Sequence, residues 1–313
     1  MSLSVNLPEI LKKVARALAS VGGRAVLVGG SVRDSVLGIP VTDFDVEVFG
    51  MASYDDLVRT LAAFGKVNLV GAFFSVVKMK MDGVEIDFSL PRRERKTGKK
   101  HVDFEVEADG DMFFEEAASR RDFTINAMGF VIETGEFLDP FGGWADLEKR
   151  VLRHVGPRFS EDPLRVFRAM QFAARFELDI VPETVALCRS LSLEEISNDR
   201  KWAETRKMIL FSKKPALGLF AAEKLGIVRL ANYPDNVLDM LVAHFGMPPS
   251  IARKVTLSKK PKPIILGREL QILGVKAGPE MGALLKQIYA AQMAGEFYTI
   301  EEGRAWIKQH LSL

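Results

Sequence analysis

Cysteine is almost missing from this 313-residue chain. Cys188 stands alone, which excludes an internal disulfide and any zinc site built from several thiolates. No run of about 18 or more uncharged apolar residues occurs, so a membrane span is not expected. The segment Met1–Ile10 lacks the basic-then-apolar order of a secretory signal, and the cytoplasm is the expected compartment. There is no internal repeat and no low-complexity tract. What is present is 48% hydrophobic and 27% charged, the make-up of a globular protein of two or three domains. Cys188 lies in an apolar period with Val185, Leu187 and Leu191 and reads as core.

Net charge is only +2, but it is unevenly spread. Residues 201–313 hold 17 Lys/Arg against 9 Asp/Glu, whereas residues 1–200 hold 26 against 32. A carboxylate-rich first part joined to a basic second part suits a protein whose C-terminal region grips a phosphate backbone. Taken alone, Lys213-Lys214 and Lys259-Lys260-Pro261-Lys262 read as solvated loops.

Apolar spacing predicts helices over 8–21 and 54–64 and strands over 24–29 and 44–49. Two more strands are expected near 73–81 and 84–90, joined by the hairpin signal Asp82-Gly83. Residues 91–101 are highly charged without an apolar period and read as a surface loop. Beyond about residue 150 the strand signals fade into consecutive helices, punctuated by prolines from Pro182 to Pro279. The expected fold is α+β, an α/β head followed by an all-helical part.

The richest segment is Ala25-Val-Leu-Val-Gly29-Gly30-Ser-Val-Arg33-Asp34, followed by Thr42-Asp43-Phe44-Asp45-Val46. Side chains alternate along a strand, so Asp43 and Asp45 share a face while Phe44 points into the core. Two such anions repel unless cations sit between them, and hard oxygen ligands suit Mg²⁺. The glycines let the backbone approach a polyanion, and a following helix N-terminus offers free N–H groups. A site for a metal-bound nucleoside triphosphate follows, although either half alone is a common turn or strand end. Asp87 and Glu85 share parity on a neighbouring predicted strand, and either is a candidate third carboxylate.

Two further segments suggest a reaction. In Arg120-Arg121-Asp122-Phe123-Thr124-Ile125-Asn126, a helix would put Asp122 and Asn126 on one face, with Arg121 toward phosphates and Asn126 toward a sugar hydroxyl. In Glu161-Asp162-Pro163-Leu164-Arg165-Val166-Phe167-Arg168, Asp162 and Arg165 are three apart and Arg168 is a turn further on. A carboxylate accepts from the exocyclic amine of cytosine or adenine while an arginine donates beside it. Uracil and guanine put a carbonyl there, a mispairing worth on the order of 1–3 kcal/mol. Asp-Pro is also an ordinary helix start, and both readings hold together.

In order and arrangement, GGSVRD at 29–34, Asp43/Asp45, RRDFTINA at 120–127, DPFGGWADL at 139–147 and EDPLR at 161–165 resemble one family. It is the class II tRNA nucleotidyltransferases, the bacterial CCA-adding enzymes and poly(A) polymerases. The resemblance spans residue 24 to about 230, and a weaker likeness returns from Leu266 to Gly303. It implies a polymerase-beta-like head over 1–150, a helical neck carrying the nucleotide-selecting motif over 151–230, and a tRNA-binding body and tail over 231–313. It implies that Asp43 and Asp45 are catalytic and hold two Mg²⁺ ions for two-metal phosphoryl transfer. Gly30, Arg33 and Arg121 are implied triphosphate contacts, Asp122 and Asn126 further nucleotide contacts, and Asp162 with Arg165 the selecting pair beside Arg168. The implied reaction adds CMP and AMP from CTP and ATP to the 3′ end of tRNA, without a membrane.

The chain departs from that pattern in places. Many relatives have a third arginine where this chain has Gln171, and more glycine where it has Gly98-Lys99-Lys100-His101. Many also carry a His-Asp phosphohydrolase domain; the four histidines here include no His-Asp pair, so that activity is not expected and the chain reads as an abridged member. The segment 70–78 looks more like the tRNA enzymes than like poly(A) polymerases, and Arg92–Lys96 suits an intact loop for adding the final A. Complete CCA addition is favoured, with CC-only, A-only or poly(A) addition as alternatives. An idle RNA-binding protein is disfavoured by two carboxylates such a site has no use for, and a small-molecule nucleotidyltransferase by the long basic helical part.

Overall fold

The computed structural model describes residues 5–71, 76–81, 83–96, 104–232, 237–251, 263–275, 278–293, 296–297 and 300–310. Helix α1 (Glu9–Ser20) forms because Leu11, Val14, Ala15 and Leu18 recur at helical spacing and are all buried. Strand β1 (Arg24–Val28) follows, then α2 (Gly30–Val36) and β2 (Asp43–Phe49). Helix α3 (Tyr54–Ala62) starts at a reciprocal cap, in which Ser53 Oγ accepts from the Asp56 N–H at 3.1 Å and donates to the Asp56 carboxylate at 2.7 Å.

Strands β3 (Val67–Gly71), β4 (Val76–Met81) and β5 (Val84–Ser89) complete one half of a seven-stranded sheet, and β8 (Gly129–Val131) with β9 (Phe137–Leu138) completes the other. The order is β3-β4-β5-β2-β1-β8-β9; β2 runs parallel to β5 and every other neighbour is antiparallel. Met81 pairs with Val84 across a two-residue connection in which Gly83 has φ +81°, as the hairpin signal predicts; Asp82 lies outside the described residues.

The charged segment is not all loop. Arg92–Lys96 forms β6, paired antiparallel with β7 (Phe104–Ala108) as a separate two-stranded ribbon. Its backbone is organised by a distant partner strand, so no local apolar alternation announces it. Residues 97–101 of that expectation, Ala72–Ser75, and the run Lys259–Lys262 lie outside the described residues.

Helix α4 (Phe114–Ser119) and α5 (Gly143–Glu148) flank the end of the head. After it, β10 (Val151–Leu152) pairs in parallel with β11 (Asp179–Ile180), a small ribbon in a region expected to be all helix. The rest is helical: α6 (Leu164–Phe176), α7 (Pro182–Ser190), α8 (Asn198–Phe211), α9 (Pro215–Lys224) and α10 (Val237–Phe245). The mixed α+β architecture expected from the sequence is present. Helix α6 is nearly all core, with Val166, Phe167, Ala169, Met170 and Ala174 at most 1% exposed. Cys188 on α7 is buried and its thiol pKa is pushed up to about 12 by that burial.

The chain divides into two compact units, Met1–Met247 and Pro248–Leu313. The second has its own core of Ile265, Leu270, Met281, Ile288, Phe297 and Ile307, drawn from α11 (Gly267–Ile272), α12 (Pro279–Met293), α13 (Ile300–His310) and their connections. No helix among the described residues is long and apolar enough to cross a membrane.

Candidate active site

Strand β1 ends at Gly29, whose φ of +69° lies in the left-handed region. A Cβ there would stand 2.9 Å from Arg121 Nη1 and 3.9 Å from Asp45 Oδ2. Glycine is therefore favoured by the backbone conformation, and its turn sits against both a guanidinium and a carboxylate. One residue into α2 (after Gly30), Ser31 Oγ donates to the Asp43 carbonyl at 2.9 Å and accepts from the Asp45 N–H at 3.3 Å. That hydroxyl ties the start of β2 to the glycine turn.

Asp43 and Asp45 are both exposed, with Phe44 buried between them, as the alternation predicts. In the parallel pairing of β2 with β5, Asp87 lies opposite Asp45 and Glu85 opposite Asp43. Lys78 of β4 faces Asp87 and forms an ion pair with it. Loss of solvent around Asp45 raises its pKa; Arg121 opposes this, while Asp87 and Asp43 add to it. Two carboxylates, Asp87 and Asp43, and two cations, Arg121 and Lys78, thus share the surroundings of Asp45.

Glu47 continues the same parity, but is 3% exposed. Arg120 Nη2 meets it at 2.6 Å and Arg121 Nη2 at 3.5 Å. Burial disfavours its charge, yet Arg121 and Arg120 together hold its carboxyl below the usual range. Sequence reasoning passed over Glu47, although its two-residue spacing from Asp45 is the available signal.

Asp122 and Asn126 do meet, with Asn126 Nδ2 donating to Asp122 Oδ1 at 2.9 Å, but not on an α-helix. The chain there is a bend followed by a single 3-10 turn, Thr124–Asn126. The reason lies in DPFGGWADL. Asp139 accepts from the N–H groups of Gly143 (2.7 Å) and Trp144 (3.0 Å), starting α5. Asp146 accepts from Thr124 Oγ1 at 2.7 Å, and a Cβ on Gly143 would lie 2.2 Å from the Thr124 carbonyl oxygen. Helix α5 therefore presses directly on the Thr124 turn and fixes its conformation.

A buried polar network radiates from that turn. Asp122 accepts from Arg168 Nε at 2.6 Å and from the Phe123 N–H at 2.8 Å; burial opposes its charge, and Arg168 and Asn126 outweigh it, so its pKa is lowered. Arg33, 5% exposed, donates through Nη1 to Asn126 Oδ1 at 2.7 Å and pairs with Asp34 at 2.7 Å. Its guanidinium lies over the Phe176 ring, 4.5 Å from the centroid.

At the start of α6, Asp162 Oδ1 accepts from the Leu164 N–H at 3.1 Å, so the Asp-Pro pair does open the helix. Arg165 donates through Nη1 to the Arg158 carbonyl and through Nη2 to the Arg120 carbonyl, both at 2.8 Å. Its remaining N–H groups are uncommitted by these bonds. Asp162 also has a partner that no local spacing reveals: Arg200 Nη2 on α8 reaches Oδ2 at 3.0 Å and Oδ1 at 3.2 Å. Gln171 is 1% exposed with Nε2 unpaired, and Glu204 Oε2 is likewise buried and unpaired.

A cavity of about 600 Å³ joins these parts. Gly29, Gly30 and Asp45 line one end, and Asp162, Arg165 and Arg168 line another part of its wall. Arg33, Arg121, Asp122 and Asn126 line it as well, so of the expected catalytic and nucleotide-contacting residues only Asp43 does not. A second cavity, of about 640 Å³, is lined by Lys66, Asn68, Lys78, Lys80, Glu85 and Asp87.

A family model described as the poly A polymerase head domain matches residues 25–153. The protein named "Multifunctional CCA protein" from Nitrosospira multiformis is 37% identical over 229 residues, covering 72% of this chain and 52% of that protein. The chain spans about half the length of the curated relatives it matches. A solved tRNA-processing enzyme with CTP is 27% identical, with a TM-score of 0.55 over 68% of this chain and 56% of that one. The Thermotoga maritima CCA-adding enzyme complexed with tRNA is 19% identical with a TM-score of 0.61, covering 99% of both chains, a likeness of fold.

Proposed function

We propose that the chain is a class II nucleotidyltransferase, as the match of residues 25–153 to the poly A polymerase head domain and the likeness to CCA proteins support, and that it adds CMP and AMP, taken from CTP and ATP, to the 3′ end of tRNA. The observation that carries this reading is that Asp45, Asp162 and Arg165 line one cavity together. Relatives named for CCA addition, and a 27% identical tRNA-processing enzyme solved with CTP, support the same chemistry.

Mg²⁺ fits the donor set. Among the described residues no group of three or more His, Cys, Asp or Glu is placed to hold a metal ion. Mg²⁺ needs none, because it is held by one or two carboxylates together with substrate phosphates and water. Asp43 and Asp45 would hold two ions, with Asp87 opposite Asp45 as the adjoining carboxylate. When bound there, the ions supply a lowered pKa for the RNA 3′-hydroxyl and charge neutralisation at the leaving pyrophosphate.

The chain's own residues do the rest. Gly29 and Gly30 let the triphosphate approach the backbone, and Arg33 and Arg121 supply positive charge beside it. Asp122 and Asn126 hold Arg168 and Arg33 in place and present the sugar-binding wall. Asp162 accepts from the exocyclic amine of cytosine or adenine, and Arg165 donates to the adjacent ring position. A uracil or guanine carbonyl would meet the same Asp162 lone pair and be rejected. Residues 1–150 thus perform the transfer, 151–230 select the nucleotide, and the basic 231–313 region grips tRNA.

The test is direct. Purified chain, Mg²⁺ and tRNA ending at the discriminator base, at C or at CC are supplied with CTP, ATP or both, and products are read at nucleotide resolution. Completion to CCA from all three ends is expected. Extension of CC-ended tRNA by ATP with no use of CTP would replace CCA addition by A addition. No incorporation under any condition would sink the reading.

A further inference from the structure

The two cavities flank one boundary in the sheet. In strand order, Gly29, Gly30 and Asp45 place the first against β1 and β2, whereas Lys78, Lys80, Glu85 and Asp87 place the second on β4 and β5, with Asn68 from β3. Asp45 lines the first and its cross-strand partner Asp87 lines the second.

The register then orders charge across one sheet face. Asp43 and Asp45 on β2 stand beside Glu85 and Asp87 on β5; these stand beside Lys80 and Lys78 on β4; Lys78 stands beside Asn68 on β3. The intervening Phe44, Ile86 and Met79 are buried, so the charged residues occupy the opposite, open face. Lys66, just ahead of β3, lines the same cavity. Acid near the middle of the sheet thus gives way to base toward its β3 edge. Lys78 neutralises Asp87, which leaves Lys66 and Lys80 against Glu85 on the outer part.

A transfer to an RNA end brings two polyanions to one pair of carboxylates, and each needs its own cationic approach. The first cavity supplies arginines to one of them. We propose that the second cavity is the seat of the other: Lys66, Lys80 and Lys78 hold the last phosphodiesters of a single-stranded RNA 3′ end and deliver its terminal hydroxyl to Asp43 and Asp45. This deepens the nucleotidyltransferase reading and rests on it. Lys78 has a double duty, bonded to Asp87 and facing the strand, whereas Lys66 and Lys80 act on the RNA alone.

The full chain is tested as the double variant Lys66→Glu/Lys80→Glu, with Lys66→Arg/Lys80→Arg as the charge-keeping control; both positions are exposed, so folding is retained. Affinity for a labelled CC-ended tRNA is measured across a salt series, and CTP binding is measured without RNA. The Glu variant is expected to bind RNA at least tenfold more weakly. Its slope of log affinity against log salt should be shallower by about 1.4, at about 0.7 for each single-strand phosphate no longer neutralised. The Arg control should keep both, and CTP binding should match the parent. Unchanged RNA affinity and slope in the Glu variant, with the parent still adding nucleotides, would overturn the RNA seat and leave the enzyme reading intact. An equal loss of CTP binding would overturn it too, by assigning the lysines to the triphosphate. A parent that adds nothing to any RNA would instead overturn the underlying reading, and this proposal with it.

Discussion

Two walls of the same cavity are built on opposite principles. On the helical wall, the charged groups are already engaged: Arg168 with Asp122, Arg33 with Asn126 and Asp34, Arg165 with two backbone carbonyls, Asp162 with Arg200. On the strand wall, Asp45 is exposed, as is its neighbour Asp43 just outside the cavity lining, and Asp87 and Asp43 repel the Asp45 charge while Arg121 attracts it. The engaged wall is rigid and suited to measuring the shape of a base. The crowded acidic rim is suited to capturing cations. On the proposed function, recognition would fall to groups already hydrogen-bonded and reaction to groups left open.

That contrast can be broken from either side. Asp45→Asn should cut nucleotide incorporation on the order of 10³-fold, the weight of a lost metal ligand at the transition state. Its thermal midpoint should stay near the parent's, because no buried partner is orphaned; single-turnover incorporation and a melting curve check both parts. Asp122→Ala should lower stability as well as activity. Removing a buried carboxylate leaves Arg168 uncompensated and costs about 3 kcal/mol of stability, read from urea unfolding.

Acidity separates the walls as well. The folded pKa of Asp122 is lowered, so its stabilisation is complete above the ordinary carboxylate pKa of about 3.9 and is lost as pH falls through the lowered value. Urea midpoints of Asp122→Asn should therefore fall less than the parent's between neutral pH and the acid limb below about pH 4. A parallel fall in both proteins would remove Asp122 from the acid response.

Asp162→Ala sharpens the comparison within the engaged wall. Discrimination of CTP over UTP should drop roughly 5- to 150-fold, since one base-edge pairing is worth about 1–3 kcal/mol. Selectivity surviving unchanged in competition assays would break the link between Asp162 and base choice. The smallest effect is expected from Ser31→Ala, which loses a hydroxyl bonded to the Asp43 carbonyl and the Asp45 N–H. One neutral hydrogen bond is worth about 1 kcal/mol. Incorporation should slow several-fold and half-saturating Mg²⁺ should rise, both read from a Mg²⁺ titration of the initial rate.

The sequence makes the strand wall easy to read because its logic is local. Two-residue alternation alone puts Asp43 and Asp45 on one face, and a glycine pair marks the turn. The parity argument also extends to Asp87 and Glu85, and pairing register then sets Asp87 opposite Asp45. The engaged wall is less legible. Arg200 meets Asp162 from 38 residues away, and Asp146 acts on Thr124 across 22, so neither pairing has a spacing signature. A helix from Asp122 to Asn126 is a fair local expectation, overruled by α5 pressing on the Thr124 carbonyl. The β6–β7 ribbon escapes for the same reason, because its order comes from pairing and not from composition.

The lone cysteine offers a clock for the helical region. Cys188 is 1% exposed on α7 and its thiol resists ionisation, so an alkylating reagent can reach it only when the packing around that helix opens. With no second thiol in the chain to confuse the signal, the labelling rate in native buffer reports the frequency of that opening. Slower labelling on adding nucleotide would mean that a ligand held some distance from the sulfur tightens the helices around it.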